Sequence, residues 1–444
     1  MTKVTKSQHK KQAIVKVEMN GKGLTVNSGL LPVFNFLSRL GFRQKVSTFV
    51  NVRRGANARY HFVDVVEMLV TGFIAGAHAL EHVSSIWHDK VLRQFSNSND
   101  VADATTLGRI LRLATAGNIT ELEELVSRFR GRVWKSATRS GQRLLSAHSV
   151  MWLDVDSTVS GVCGNQEGAQ KGYNPKKKGQ KSYHPLMAFV DETKEVFHSW
   201  FRCGSAYSSN GVTEFMRECM SHVNKRVRVV FRGDSAFFRE DLLSYLDSVG
   251  AGYLIKVKMK NLTTVLSGQS WGSVHGHDGW EETMFSLQCK NWSTSRQCVA
   301  IRQLVRIERG LIDVPVYDYF CYVTTESLAP MEIHKKYGKR ATCETWIEEF
   351  KGQINGCGIR TSNFLANAAI FQCAVLSYNI LKWMGMLTNQ TVKRWEIKSV
   401  RFWLIRVAGK LVTRGRQLRL LLPKTFLHQK EWLEWEQMSR TVVL

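Results

Sequence analysis

From residue 28 to about residue 145, apolar residues recur every three or four positions, the spacing of amphipathic helices. "GLLPVFNFLSRLGF", from Gly29, and "FVDVVEMLVTGFIAGAHALEHVSSI", from Phe62, show it most clearly. "SNDVADATTLGRILRLA" sets Asp and Thr caps ahead of a short helix bearing Arg109 and Arg112, a pattern that suits a helix-turn-helix or an ordinary bundle equally. The texture changes at Ser149. In "SVMWLDVDSTVSGV" the period is two, so Trp152, Asp154 and Asp156 share one face while Leu153 and Val155 share the other. Two further strand-like runs, "PLMAFVD" and "EVFHSWFRC", meet at the turn "DETK". The helical stretch "NGVTEFMRECMSHVNK" leads to the strand "RVRVVFRGDS", the helix "REDLLSYLDSVG" and the strand "GYLIKVKM". The order is strand, strand, strand, helix, strand, helix, strand. Residues 261–330 interrupt it with more strand-like pieces, including "RQCVAIRQLVRI" and "VPVYDYFCYVTT".

After the interruption, "YGKRATCETWIEEFKGQI" (337–354) reads as one helix with two faces. Cys343, Trp346, Ile347, Phe350 and Ile354 make an apolar side. Beside it, Tyr337, Arg340, Glu344, Glu348 and Lys351 fall inside an arc of roughly 80° at about 100° per residue. A solvated face, with Arg340 paired to Glu344 and Glu348 one and two turns away, would give the same stripe.

Composition narrows the choice. With 444 residues, 44% of them hydrophobic, the chain can bury a large core and is not a disordered polymer. Its formal charge of +25 points to a polyanion such as nucleic acid. The charge is uneven: residues 1–60 hold twelve Lys or Arg against Glu18 alone, and 393–424 hold ten against Glu396 alone. The middle of the chain therefore keeps its carboxylates and needs a reason for them. Nine cysteines form no C-x-x-C pair and no zinc-finger spacing, and so read as reduced thiols of a cytosolic protein. No signal-type apolar run follows the basic N-terminus, and Glu67, Asn367, Gln372 and Asn379 break the longest apolar stretches. No membrane span is expected.

Two strands carry carboxylates that an apolar interior would exclude. An Asp inside "VMWLDVD" is desolvated unless something positive compensates it, and "VVFRGDS" delivers Asp234 at the carboxyl end of a strand, where open α/β sheets place their sites. A hard divalent cation held by carboxylate oxygens is one compensation. Two-metal phosphoryl transfer needs such carboxylates close together, a demand that Asp156, Asp234 and Glu344 fit. Taken alone, Asp156 could bond a turn and Asp234 could cap the following helix. Asp154 faces the same side as Asp156, so either could be the first ligand.

Tyr337, Arg340, Glu344 and Lys351 stand at the spacing Y-x2-R-x3-E-x6-K, which resembles the signature of bacterial insertion-sequence transposases with an Asp-Asp-Glu active site. "DVDST", "KGYNPKKKGQKSYHPLMAF" and "FRGDSAFF" are similar to the regions around the two aspartates in the group conventionally numbered thirteen-eighty. The likeness covers residues 149–382. It implies an α/β fold with a ribonuclease H-like catalytic core (146–260 and 331–390), a strand-rich insertion (261–330), an all-α DNA-end-binding domain before it (1–145) and a basic C-terminal segment (391–444). It implies Asp156 rather than Asp154 as first ligand, with Asp156, Asp234 and Glu344 holding two Mg2+ ions, or Mn2+ in their place. Tyr337, Arg340 and Lys351 would contact phosphates or the end nucleotide, and Glu348 would orient Arg340 or Lys351. The chemistry implied is cleavage of DNA at the element's ends and transfer into target DNA, by a homodimer assembled on those ends in the bacterial cytoplasm, near the nucleoid. A structure-specific nuclease of the same fold and a non-catalytic DNA-binding protein are the alternatives.

Other residues enter by chemistry. Lys176, Lys177, Lys178 and Lys181 lie in a basic loop suited to backbone neutralisation. Trp280, with Trp271 and Trp292, is a candidate to stack a flipped base, as the insertion does in related transposases, although packing is the commoner use of such residues. His275, His277 and Asp278 read as a polar turn ahead of a metal site. The Trp- and Arg-rich stretch from Lys393 suits phosphate binding or packing on the core.

Overall fold

Among the described residues the three- and four-residue spacing of the N-terminal part becomes seven helices, including α1 (Leu30–Leu40), α2 (Phe62–Ala75) and α3 (Ala116–Arg139). The computed structural model describes residues 15–55, 57–96, 98, 100–141, 149–172, 174, 177–310 and 312–444. Asp103 and Thr115 cap their helices through the side chain, accepting from Thr106 N and Asn118 N.

The period-two run after Ser149 is strand β1 (Val150–Ser157), in the interior of a nine-stranded mixed sheet. On one side β2 (Leu186–Val190) is antiparallel to β1, and β3 (Val196–Trp200) is antiparallel to β2. On the other side β4 (Arg228–Gly233) runs parallel to β1 and β5 (Gly252–Lys256) parallel to β4. The strands of 261–330 extend the same sheet. β6 (Gly272–Ser273), β7 (Trp280–Leu287), β8 (Arg296–Glu308) and β9 (Val314–Thr324) follow one another antiparallel, and β9 bonds β5 with Tyr322 opposite Lys256.

Around β1, β4 and β5 both faces of the sheet are covered, which is why β4 and β5 read as near-continuous apolar runs. Met151, Leu153 and Val155 pack with Phe231 and Ile255 beneath α4 (Val212–Ser221) and α5 (Glu240–Ser248). On the opposite face Trp152, Val230, Leu254 and Tyr322 meet Ile333 of α6 (Pro330–Gly338). The helix expected over 337–354 is not continuous. α6 ends at Gly338, and a turn with Arg340 N bonded to Tyr337 O at 2.8 Å precedes α7 (Ala341–Glu348). Glu349–Gln353 then widen into a π-helical turn that draws Glu349 inward, 2.7 Å from Lys382 Nζ.

α8 (Phe364–Thr388) is long and apolar enough to cross a membrane, yet 89% of its most apolar window is buried inside the protein. It packs on α2, α3 and α9 (Gln429–Thr441). An apolar-all-round helix is what such a position requires. Two of its polar residues serve the edge strand β3: Asn379 accepts from Val196 N and donates to Val196 O, both at 2.8 Å, and Gln372 donates to Ser199 O at 3.2 Å. These bonds satisfy backbone groups that β2 leaves free.

Residues 23–29 meet the C-terminal segment. The stretch from Lys393 is helical only as far as Ile405, and then becomes a hairpin of β10 (Gly409–Arg414) and β11 (Gln417–Leu421). The short strand Leu24–Thr25 pairs with β10, and Gly29 lies so close to the Leu404 carbonyl that a Cβ there would sit 1.8 Å from its oxygen. One apolar cluster joins α1, α2, α3, α8, Leu404 and Trp435 with Phe189 and Val196 of the sheet. The helical N-terminal part and the C-terminal segment are thus packed on the nine-stranded sheet through a shared core.

Candidate active site

β1 and β4 are neighbours in register, Asp154 opposite Arg232. Two residues further along each parallel strand stand Asp156 and Asp234, so the two aspartates emerge side by side at the carboxyl ends. Asp234 Oδ1 accepts from Ala236 N at 2.9 Å, capping the short turn Ser235–Phe237, and Asp156 Oδ1 accepts from Ser157 N at 2.8 Å. Each Asp therefore fills the local turn role anticipated for it and still faces a common space. α7 brings Glu344 there. Asp156, Asp234, Glu344, Glu348, Lys177 and Lys351 line one cleft of 730 Å³.

Arg340, buried just ahead of α7, links two of the carboxylates. Its Nη2 donates to Asp156 Oδ2 at 2.7 Å and its Nη1 to Glu344 Oε1 at 3.4 Å. Burial opposes the charge of Arg340, but Asp156 and its neighbours outweigh it and hold the guanidinium above its ordinary pKa. Burial pushes Asp156 up to about 6, with Arg340 opposing and Asp234 and Glu344 adding like-charge repulsion. Lys351 Nζ donates to Val159 O at 3.1 Å. Glu348, expected to orient Arg340 or Lys351, bonds neither; the kink at Arg340 and the π turn send those cations to Asp156, Glu344 and Val159 instead. Tyr337 packs its ring 4.6 Å from that of Tyr322, and burial lifts its hydroxyl to about 12.

Asp154 is withdrawn from the cleft. Arg232 donates to both its oxygens, at 2.5 and 2.7 Å, and neither side chain has any exposed surface. Burial raises Asp154 to about 6 against the pull of Arg232.

The remaining candidates spread. Lys177 reaches the cleft, Lys178 is exposed outside its lining, Lys181 bonds Asn165 Oδ1 at 2.8 Å, and Lys176 lies outside the described residues. Trp280 stacks on Phe320 with ring centres 6.3 Å apart and lies outside the cleft lining. Trp271 packs on Tyr319 and Trp292 on Phe238. Sequence reasoning passed over His184, Asn174 and Ser208, which also line the cleft. His184 Nδ1 is 2.5 Å from Ala206 O, so the ring is fixed by a loop that no local pattern announces.

The donor set suits a hard divalent cation: Asp156, Asp234 and Glu344, with Glu348 beside them, offer carboxylate oxygens to an open cleft. Their oxygens are not drawn into one tight group. Among the described residues only Glu123, His198 and Glu218 bring three such ligand atoms within 4.8 Å of one another, and there His198 Nε2 bonds Glu218 Oε2 at 2.7 Å. In the cleft, the Arg340 guanidinium supplies the positive charge that Asp156 and Glu344 require.

No curated protein matches the chain. A solved piggyBac transposase synaptic complex with hairpin DNA, determined by cryo-electron microscopy, is similar at 12% identity and a TM-score of 0.44, over 84% of this chain and 79% of that one. The model of the transposase DDE domain family, group 1, matches residues 7–441, nearly the whole chain. The chain belongs to the DDE transposases, enzymes that use divalent metal ions to cleave DNA and transfer its strands.

Proposed function

We propose that this transposase acts on the ends of an insertion sequence, with Asp156, Asp234 and Glu344 as its catalytic carboxylates. The observation that carries the reading is the single cleft lined by all three, with Arg340 between Asp156 and Glu344. The order β3-β2-β1-β4-β5, in which only β2 opposes β1, supports a ribonuclease H-like core. The Y-x2-R-x3-E-x6-K spacing supports the insertion-sequence class, nearest the group numbered thirteen-eighty.

The three carboxylates would hold two Mg2+ ions, or Mn2+ in their place, which when bound supply charge to activate water or a 3′-hydroxyl and to steady the phosphoryl oxygens. The rest is the work of the chain's own side chains. Arg340 has donors to spare for a phosphate oxygen, because each Nη spends one N–H on a carboxylate and keeps a second. Lys351 and Lys177 on the rim neutralise backbone phosphates, aided by Lys178, Lys181 and Lys176 of the same loop. Tyr337 and, on the insertion, Trp280 offer aromatic faces to the end and flanking nucleotides. The helices of 1–145 recognise the element's end, and two copies of the chain act together on paired ends.

Duplexes copied from the DNA flanking the coding region, labelled at one strand, test this with Mg2+ and with chelator. Nicking at the terminus followed by joining to plasmid is the expected result. Nicking without joining would leave a nuclease, and metal-independent binding alone a passive DNA-binding protein.

A further inference from the structure

The β10–β11 hairpin is not used by the cleft, and its build suggests a use. Its turn is two residues long, Gly415 and Arg416, with φ of 57° and 61°, the twist-matched type I′ geometry. Arg416 holds a left-handed backbone that glycine adopts freely and arginine does not. Register puts Lys410, Val412 and Arg414 on one face with Leu421, Arg419 and Gln417 opposite them; Leu411, Thr413, Leu418 and Leu420 take the other. Leu420 packs against the core, so the face bearing Lys410, Arg414 and Arg419 turns to solvent. Residues 409–421 contain four cations and no Asp or Glu. Among the described residues, none of the four side chains makes an ion pair or a hydrogen bond. The base is anchored: Leu24–Thr25 adds a third strand, Leu411 N donates to Gly23 O at 2.7 Å, and Ser28 N donates to Val407 O at 3.1 Å.

We infer that this ribbon is a second DNA-docking element, which lies along a groove of duplex DNA with Arg414, Arg416 and Arg419 against the phosphates and base edges. A two-stranded ribbon fits the B-DNA major groove, which is about 12 Å wide. Its charge is complementary to a polyanion, and it sits on a pedestal rather than a loose tail. A strained arginine at the tip, where glycine would relax the turn, points to a side chain kept for contact. The inference rests on the chain acting on DNA, but not on the assignment of the carboxylates.

Two variants of the full chain test it by fluorescence anisotropy on a labelled duplex at several salt concentrations. Arg414→Gln with Arg419→Gln should weaken binding by roughly tenfold and lower the salt slope by about one per lost phosphate contact. Arg416→Gly should leave the melting temperature unchanged or higher, since glycine accepts the turn, yet weaken binding severalfold. Those opposite signs would not arise from a merely structural role. Wild-type affinity and slope in both variants would overturn the inference. Failure of the wild type to bind duplex at all would instead strike the DNA-processing reading itself. Loss of metal-dependent nicking at saturating protein, with binding intact, would place these arginines in the cleft's work and overturn a separate docking role.

Discussion

Arg232 grips Asp154 with two bonds, at 2.5 and 2.7 Å, and passes a third, at 2.7 Å, to the Lys336 carbonyl. One buried guanidinium thereby ties β1 and β4, which deliver the two aspartates, to α6 just ahead of Arg340: Asp154 stands two residues before Asp156, Arg232 two before Asp234, and Lys336 four before Arg340. Removing the near partner of this buried pair leaves Arg232 with only the Asp191 carboxylate, 3.6 Å from its Nη2, which costs about 3 kcal/mol. Asp154→Asn should therefore lower stability by about that amount while keeping residual cleavage at low temperature. Urea unfolding checks the first part. A fully stable but inactive Asp154→Asn would move the first ligand to Asp154.

Arg340 contributes two donors to two carboxylates, a geometry an ammonium does not reproduce. Arg340→Lys should leave duplex binding near normal and reduce single-turnover cleavage by about 10²-fold, the typical loss for one preorganised donor. Cleavage within a factor of two of wild type would remove Arg340 from the reaction.

The edge strand depends on Asn379. Replacing it with Leu keeps the volume and strands the N–H and carbonyl of Val196, so Asn379→Leu should cost about 2–4 kcal/mol. Hydrogen exchange at Val196 should rise with it, and protection equal to wild type would count against the role.

Glu123 offers a pH test away from the cleft. Burial, with Glu218 adding repulsion, raises its carboxyl from 4.5 to about 8. Because the folded value lies above the unfolded one, its contribution is full below pH 4.5 and is lost as pH rises through 8. Glu123→Gln should match wild type near pH 4.5 and exceed it above pH 8, by up to roughly 5 kcal/mol at ~1.4 kcal/mol per pKa unit. Denaturant midpoints at pH 5 and pH 9 measure it. A constant difference across that range would assign the effect to packing instead.

Local pattern made the central strands legible, because period two and buried apolar runs write themselves directly into residues such as Leu153, Val155 and Val230. Two features stayed hidden for one reason: they depend on partners far away in sequence. The break at Arg340 follows its pairing with Asp156, 184 residues earlier. The π turn at Glu349 follows Lys382 and the Tyr378 hydroxyl, 3.1 Å away on α8. Helical spacing alone therefore drew Glu348 into the same network as Arg340 and Lys351. The joining of residues 24–25 to the C-terminal hairpin was likewise invisible, since the pairing of Leu24 with Lys410 leaves no period in either segment. At the site, residue types and order were readable as far as Asp156, Asp234 and Glu344. His184 was not, because only the Ala206 carbonyl turns its ring toward the cleft.

The central claim is that Asp156, Asp234 and Glu344 together perform the chemistry. Strand transfer of a labelled, pre-cleaved element end into plasmid DNA tests it most directly, in Mg2+ and in Mn2+, with Asp156→Asn, Asp234→Asn and Glu344→Gln beside wild type. An isosteric amide keeps the shape and removes the charge a cation needs. The account predicts joined product from the wild type and none from any of the three, with melting temperature and end binding preserved. Product from any one variant at a rate near wild type would contradict it.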